Sequence, residues 1–87
     1  MNKSRYEIND VGVKRWFNPT GQLHREDGPA YINSWNKSWY LNGYLHRMDG
    51  PSIEYTNGDK AWYFNGKYID CNSQEEFERL LRLKAFW

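Results

Sequence analysis

Two copies of one short polar segment carry most of the side chains that could do chemistry in this sequence. The copies are His24-Arg25-Glu26-Asp27-Gly28-Pro29-Ala30 and His46-Arg47-Met48-Asp49-Gly50-Pro51-Ser52. Each copy combines a titratable imidazole, a carboxylate and a guanidinium whose paired N–H donors match the oxygens of a phosphate. Arg25 and Arg47 are therefore candidates for holding an anionic ligand, with His24 and His46 beside them.

Basic and aromatic side chains are also mixed along the chain, in which aromatic residues make up 18% of the sequence. Aromatic rings and guanidinium planes provide faces on which nucleobases stack. We expect a ligand-binding set drawn from the polar segments and their basic and aromatic neighbours: Arg25, Arg47, His24, His46, Trp16, Trp39, Tyr40, Trp62, Lys14 and Arg15. The competing interpretation is structural, because aromatic side chains bury large areas and most of them could form the core.

The polar segment could likewise serve only to build the turn in which it lies. Its aspartates would then accept hydrogen bonds from following backbone amides, and its histidines would pair with those carboxylates or with a neighbouring repeat. The glycine could take positive φ, and the proline would fix its own φ. In such a tight turn the ends of Arg25 and Arg47 are expected to stay mobile, and therefore open to a ligand.

Catalysis and metal binding find little support in the residue inventory. The chain has two histidines and one cysteine, whereas a structural zinc site takes four ligands. Cys71 precedes a predicted helix and is expected to be a small buried residue rather than a reactive thiolate. No phosphate-binding glycine loop and no nucleophile elbow occurs in the sequence. We expect a binding protein with no catalytic residue, no metal and no cofactor.

Charge and hydropathy argue against several classes of partner. The chain has 12 basic and 11 acidic residues, a net charge of +1, which gives no broad electrostatic footprint for duplex nucleic acid or a membrane surface. No apolar stretch approaches the roughly 20 residues of a membrane span, and the first residues lack the apolar segment of a secretory signal. A lone cysteine fits a reducing compartment. We expect one soluble, cytoplasmic domain over residues 1–87.

An internal repeat organises the chain around the polar segments. Trp16, Trp39 and Trp62 recur every 23 residues, and the last two begin the sequences Trp39-Tyr40-Leu41-Asn42-Gly43 and Trp62-Tyr63-Phe64-Asn65-Gly66. Asn-Gly is typical of a type I′ hairpin turn, which needs positive φ at both central residues. Three repeats of about 23 residues over 12–70 predict six or seven short strands in an antiparallel meander, including strands at 37–41, 29–33 and 51–55. The third repeat lacks the polar segment.

The last part of the chain has the pattern of a helix, predicted within residues 73–86. Ser73 and Glu76 have the spacing of a capping box. An apolar stripe follows on one helical face, formed by Phe77, Leu80, Leu81 and Ala85. This stripe would cap the open end of the repeat stack. Leu83, Phe86 and Trp87 lie off the stripe, and the excess apolar surface predicts a homo-oligomer. The expected fold is therefore mostly β, a meander of hairpin repeats capped by one C-terminal α-helix.

The motif His-Arg-x-Asp-Gly-Pro-Ala, alternating with Trp-Tyr-x-Asn-Gly, resembles that of small repeat proteins encoded by tailed phages, which are distantly similar to MORN-type hairpin repeats. The resemblance covers about residues 12–70. It departs at Ser52, where the motif has alanine, and in the third repeat, where the motif is missing.

Some proteins of this repeat class are viral sponges, which bind cyclic nucleotide immune signals and keep them from the effector of cyclic-oligonucleotide antiphage defence. The resemblance implies an immune-evasion protein in the host cytoplasm that binds a cyclic di- or trinucleotide without cleaving it. It also implies a small homo-oligomer, for which we expect a tetramer. Two alternatives remain open at this stage: a protein-binding inhibitor of a host enzyme that acts through an aromatic face, and a structural or assembly module.

Overall fold

Short antiparallel strands joined by tight turns make up most of the chain. The computed structural model describes residues 5–83. In that range the strands are β1 (Arg5–Ile8), β2 (Lys14–Phe17), β3 (Tyr31–Ile32), β4 (Asn36–Ser38), β5 (Tyr40–Leu41), β6 (Tyr44–Leu45), β7 (Ile53–Tyr55), β8 (Lys60–Phe64) and β9 (Lys67–Ile69), followed by helix α1 (Gln74–Leu83). The predicted class, mostly antiparallel β with one C-terminal helix, is confirmed.

The strands are shorter and more numerous than the six or seven predicted. The strand expected over 37–41 is divided at Trp39, because the chain changes its pairing partner there. The Trp39 amide donates to the Ser52 carbonyl (2.8 Å), whereas its own carbonyl accepts from the His46 amide (2.9 Å). Residues before Trp39 thus pair with β7, and those after it pair with β6.

Seven of the strands form one antiparallel sheet in the order β1-β2-β3-β4-β7-β8-β9, and β5 and β6 form a separate ribbon. The register sets Tyr6 opposite Trp16 and Tyr31 opposite Ser38. The molecule measures 39 × 34 × 17 Å. Its shortest dimension is that of a sheet on which few other elements are packed. Both faces of most strands are therefore partly open to solvent.

Type I′ turns stand where the two Asn-Gly pairs predicted them. Asn42 and Gly43 have φ of 50° and 87°, and Asn65 and Gly66 have φ of 50° and 83°. Each turn rests on the preceding repeat: the Gly43 amide donates to the Leu23 carbonyl (2.9 Å), and the Gly66 amide donates to the Leu45 carbonyl (2.8 Å). Successive repeats are joined in this way at equivalent positions, as expected of stacked repeats.

The apolar core is small and lies at the C-terminal end. Trp62, Ile69, Cys71 and Phe77 are buried there. Elsewhere in the described chain the buried residues are small or polar, such as Ala30, Ser38 and Ser52. The interpretation that most aromatic residues form the core is therefore wrong, because a single-layer sheet has no second layer to cover their rings.

Helix α1 begins with the predicted Ser73 cap, and Glu76 bonds the residue before Ser73 instead of completing a capping box. The Ser73 hydroxyl oxygen accepts from the Glu76 amide (3.1 Å), and the Glu76 carboxylate accepts from the Asn72 amide (2.7 Å). Phe77 is fully buried, with Leu80 and Leu81 packed against the same core, so the stripe caps the last repeat as expected. Ala85, the last residue of the predicted stripe, lies outside the described residues, and so do Phe86 and Trp87, on which the oligomer prediction partly depended. Between residues 5 and 83, no helix has the length and apolar character needed to cross a membrane.

Candidate ligand-binding groove

Each arginine of the polar segments stacks on the tryptophan of its own repeat. The guanidinium carbon of Arg25 lies 4.0 Å from the centroid of the Trp16 ring. That of Arg47 lies 3.8 Å from the centroid of Trp39. This contact combines a cation–π attraction with the burial of two flat surfaces. The repeat thus brings its tryptophan and its arginine together, although the sequence separates them by a hairpin.

The guanidinium groups are also held at their edges. Nε of Arg25 donates to the Asp27 carboxylate (3.0 Å), and its Nη1 donates to the Pro29 carbonyl (3.2 Å). Arg47 repeats this arrangement with Asp49 (2.9 Å) and with the Pro51 carbonyl (3.2 Å). The expectation that the arginine ends are mobile is wrong, because stacking and hydrogen bonds fix each plane.

The repeat-two arginine has one additional partner. Nη1 of Arg47 lies 3.0 Å from a carboxylate oxygen of Glu54 on β7. The bonds to the arginines also act on the aspartates: hydrogen bonding to Arg25 lowers the pKa of the Asp27 carboxyl, and Arg47 lowers the pKa of Asp49 in the same way. Both carboxylates are therefore ionised at neutral pH and stay paired with their arginines.

The glycine of each segment is required for close approach rather than for positive φ. Neither Gly28 nor Gly50 is among the positive-φ residues of the described chain. A Cβ at Gly50 would come within 2.6 Å of the Arg47 guanidinium carbon, and one at Gly28 within 3.0 Å of that of Arg25. The predicted bend through positive φ is therefore wrong at both positions. The missing side chain makes room for the guanidinium.

The histidines bind the neighbouring repeat, one of the two roles that the sequence left open. Nδ1 of His24 accepts from the Asn42 amide (2.9 Å), and Nδ1 of His46 accepts from the Asn65 amide (3.0 Å). Each imidazole thus caps the type I′ turn of the next repeat, with Nδ1 as the acceptor. Burial lowers the pKa of His46, which favours the neutral imidazole that can accept this bond.

A groove of about 590 Å³ separates the two polar segments. One wall is the first segment, the other is the second, and the floor comes from the hairpin between them. The lining consists of Arg25, Glu26, Asp27, Gly28, Pro29, Trp39, Leu41, His46, Arg47, Met48 and Asp49. A second recess of about 540 Å³ lies over the first repeat, next to Trp16, His24 and Arg25. The repeat therefore generates two related concave sites.

Six of the ten predicted site residues line these two recesses: Arg25, Arg47, His24, His46, Trp16 and Trp39. The other four lie elsewhere. Lys14 and Arg15 are on β2, opposite Ile32 and Tyr31 of β3, and burial beside Tyr31 and Tyr63 raises the pKa of Tyr40. The spacing of basic and aromatic residues does not reveal which of them share a recess.

Trp62 is covered by helix α1, which takes the place of the missing third segment. Its indole Nε1 donates to the Gln74 side-chain oxygen (2.8 Å), and the Gln74 amide nitrogen donates to the Met48 carbonyl (2.9 Å). Trp62 is therefore a core residue. In the first two repeats the equivalent tryptophans, Trp16 and Trp39, are covered by a stacked arginine instead. Met48 and Leu41, which sequence reasoning did not select, belong to the groove. The only sequence signal for Met48 is its variable position inside the second segment.

The groove can donate hydrogen bonds from fixed positions over a partly apolar floor. In the described part of the chain, Nη2 of Arg25 and Nη2 of Arg47 donate to no protein acceptor. Trp39, Leu41 and Met48 supply apolar surface, whereas Glu26 adds a carboxylate without an arginine partner. Among residues 5–83, no group of three or more potential ligands is arranged to hold a metal ion.

These features define a hairpin-repeat protein with paired recesses between and beside its polar segments. No protein-family model, no curated protein and no solved structure matches this chain.

Proposed function

We propose that this chain is a viral immune-evasion binding protein, which sequesters a cyclic di- or trinucleotide in the groove between its polar segments without cleaving it. The observation that carries the proposal is the pair of fixed guanidinium groups, from Arg25 and Arg47, on a single groove with an apolar floor. The motif's resemblance to phage-encoded sponges supports the same ligand class and a place of action in the host cytoplasm.

Fixed arginines favour tight binding of a phosphate diester. Side chains that are already ordered lose little rotamer entropy when the ligand binds, and a guanidinium edge donates to phosphate oxygens with charge assistance. The Nη2 groups of Arg25 and Arg47 are the donors left for this purpose. Because Arg47 covers one face of Trp39, we expect a base to stack on the outer plane of the guanidinium rather than on that indole face.

The proposed protein is a binder rather than an enzyme. Nδ1 of each histidine already accepts a backbone hydrogen bond, and the aspartates of the groove are engaged by arginine. Both histidine Nδ1 atoms and both aspartates of the groove are thus engaged within the described part of the protein, and we expect the ligand to be released chemically intact.

The first test is calorimetric titration of the protein with a panel of cyclic di- and trinucleotides, with chromatography of the recovered ligand. We expect binding at micromolar ligand or below, and recovery of the unaltered nucleotide. If no member of the panel binds, the proposal fails. Recovery of a linear product would contradict sequestration without cleavage.

A matched pair of charge variants locates the site. Met48→Glu adds a negative charge in the groove and should weaken nucleotide binding at least tenfold through repulsion of the phosphates. Val11→Glu adds the same charge at an exposed position in the β1–β2 turn and should leave affinity unchanged. Glu26→Gln removes a carboxylate from the groove and should tighten binding several-fold. Equal effects of Met48→Glu and Val11→Glu would place the ligand elsewhere.

The second candidate function, inhibition of a host enzyme, is favoured by one exposed tryptophan. Trp35 lies in the β3–β4 turn with 73% of its surface exposed. Its backbone is fixed, since its amide donates to the Asn33 side chain (2.8 Å) and its carbonyl accepts from the Thr56 amide (2.8 Å). A rigid exposed tryptophan is a common anchor of protein interfaces. If Trp35→Ala abolishes a stoichiometric host complex that Val11→Ala retains, this function is supported.

A further inference from the structure

Strand β1 forms an edge of the seven-stranded sheet, and half of its backbone groups point away from the sheet. The Asn9 amide donates to the Val13 carbonyl (3.0 Å), which makes these two residues a hydrogen-bonded pair of the ladder. Such pairs alternate along antiparallel strands. Glu7 and Arg5 therefore bond to β2, whereas the amides and carbonyls of Tyr6 and Ile8 face the open edge.

The partner of Tyr6 on β2 supports this assignment independently. Trp16 uses its amide to donate to the Ala30 carbonyl (2.8 Å), and its carbonyl accepts from the His24 amide (2.9 Å). Both backbone groups of Trp16 are thus engaged on the side away from β1. Tyr6, which stands opposite Trp16, presents one donor and one acceptor to a further strand.

The side chains of β1 are complementary to a second copy of the same strand. Arg5 and Glu7 lie on one face, where Nε of Arg5 is 3.1 Å from the Glu7 carboxylate. Tyr6 lies on the other face, with its ring 4.7 Å from that of Trp16. In an antiparallel pair centred on Tyr6, Arg5 of each copy faces Glu7 of the other, and the two Tyr6 rings are neighbours.

A twofold axis placed at another residue of β1 pairs the side chains of the two copies less favourably. A twofold axis at Glu7 would set two glutamates directly opposite each other, which is destabilising. An axis at Ile8 would set Tyr6 opposite Asp10 and leave Arg5 without a carboxylate from the other copy. Charge complementarity therefore selects the register that also aligns the free backbone groups of Tyr6.

We propose that two copies of this chain associate through β1, antiparallel and centred on Tyr6, so that their two sheets become one. The interface consists of the reciprocal Tyr6 backbone hydrogen bonds, two Arg5–Glu7 pairs between copies and a row of rings from Trp16 to Trp16 across the axis. Because the twofold axis is perpendicular to the sheet, the Trp16–Arg25 recesses of both copies lie on the same face. The proposal does not depend on the proposed nucleotide ligand.

The test is sedimentation velocity over a wide range of protein concentrations. The wild-type chain should shift from 10.5 kDa towards twice that mass as concentration rises. Arg5→Glu should raise the dissociation constant about tenfold, because two attractive cross-strand pairs become repulsive. The double variant Arg5→Glu/Glu7→Arg restores opposite charges in reversed order and should regain association. A monomer at all concentrations up to millimolar overturns the proposal, and so does a failure of the double variant to regain what the single variant loses.

A second pair of variants tests the backbone contacts. Tyr6→Pro removes the amide that faces the open edge but leaves the bonds of β1 to β2 intact, and it should abolish the dimer. Tyr6→Thr loses the same ring but keeps the amide, and it should retain measurable association. Circular dichroism checks that both variants fold. Equal association of the two variants would place the interface elsewhere. Open-ended species whose size keeps growing with concentration would also overturn the proposal, because they indicate head-to-tail pairing of β1 with another edge.

Discussion

At the scale of single residues, each polar segment holds the guanidinium group of its own arginine in one position. The Trp39 ring supports its plane, Asp49 and the Pro51 carbonyl hold its edge, and the absence of a Cβ at Gly50 leaves space for it. The arginine, aspartate, glycine and proline of the segment therefore have physical roles before any ligand is considered. Any ligand that binds here meets donors whose positions are already set.

The close approach at glycine predicts a rank order of destabilisation. Gly50→Ala should lower the free energy of unfolding by about 0.5–1 kcal/mol, because the new Cβ must push the flexible end of Arg47 off Trp39 and so weaken the cation–π contact. Gly28→Ala should cost less, since its Cβ would meet Arg25 at 3.0 Å rather than 2.6 Å. Urea denaturation of both variants measures the two costs. A larger loss in Gly28→Ala than in Gly50→Ala would contradict this account.

His46 predicts a pH dependence of stability. Burial lowers the pKa of its imidazole below the ordinary 6.5, so the unfolded chain takes up a proton first as the pH falls. The stabilising contribution is therefore complete above the unfolded pKa and declines as pH falls towards the folded pKa. Protonation would also remove the acceptor of the Asn65 amide.

Measurement of the unfolding free energy between about pH 7 and 5 tests this, because only histidine ordinarily titrates in that range. His46→Gln cannot titrate but keeps a side-chain acceptor, so its free energy of unfolding should fall less over this range than that of the wild type. If the unfolding free energies of the two proteins change with pH in parallel, His46 does not govern the loss of stability at low pH.

At the scale of secondary-structure elements, the chain shows which features are local enough to be predicted. The turn at Asn65-Gly66 and the cap at Ser73 depend on a few adjacent residues, so the sequence is sufficient for both. The division of a strand at Trp39 depends on a change of hydrogen-bond partner, between Ser52 and His46, that only the folded chain defines. The groove likewise depends on how one hairpin rests on the next.

Helix α1 shows how the fold compensates for the missing third segment. Gln74 bonds the Trp62 indole and the Met48 carbonyl at the same time, and so ties the helix to two repeats. Gln74→Ala should lower the free energy of unfolding by about 1–2 kcal/mol, because it leaves the indole N–H and a carbonyl without partners. At neutral pH Gln74→Glu should not restore this loss, because its carboxylate would face that of Glu78, which accepts from the Gln74 amide nitrogen in the wild type (2.9 Å). An alanine variant as stable as the wild type in thermal unfolding would contradict the bridging role.

At the scale of the whole molecule, the distribution of burial predicts a gradient of stability. The buried apolar cluster lies entirely under α1, β8 and β9, whereas β1 and β2 are exposed or half-buried along their length. Stacked repeats contact only their neighbours, so local stability follows local packing. In hydrogen exchange measured below the concentration of association, amides of β8 and α1 should exchange most slowly and those of β1 and β2 fastest.

A core variant distinguishes this gradient from a single cooperative unit. Leu80 packs partly buried against the cluster, so Leu80→Ala should cost roughly 1–2 kcal/mol, less than the loss for a fully buried leucine. If stability is local, the variant should speed amide exchange in α1, β8 and β9 and leave β1 and β2 unchanged. The matched variant Ile8→Ala, at an exposed position on β1, should leave exchange in α1 at the wild-type rate. If Leu80→Ala accelerates exchange by the same factor along the whole chain, the repeats unfold together. The helix then stabilises the groove as much as it stabilises the core beneath it.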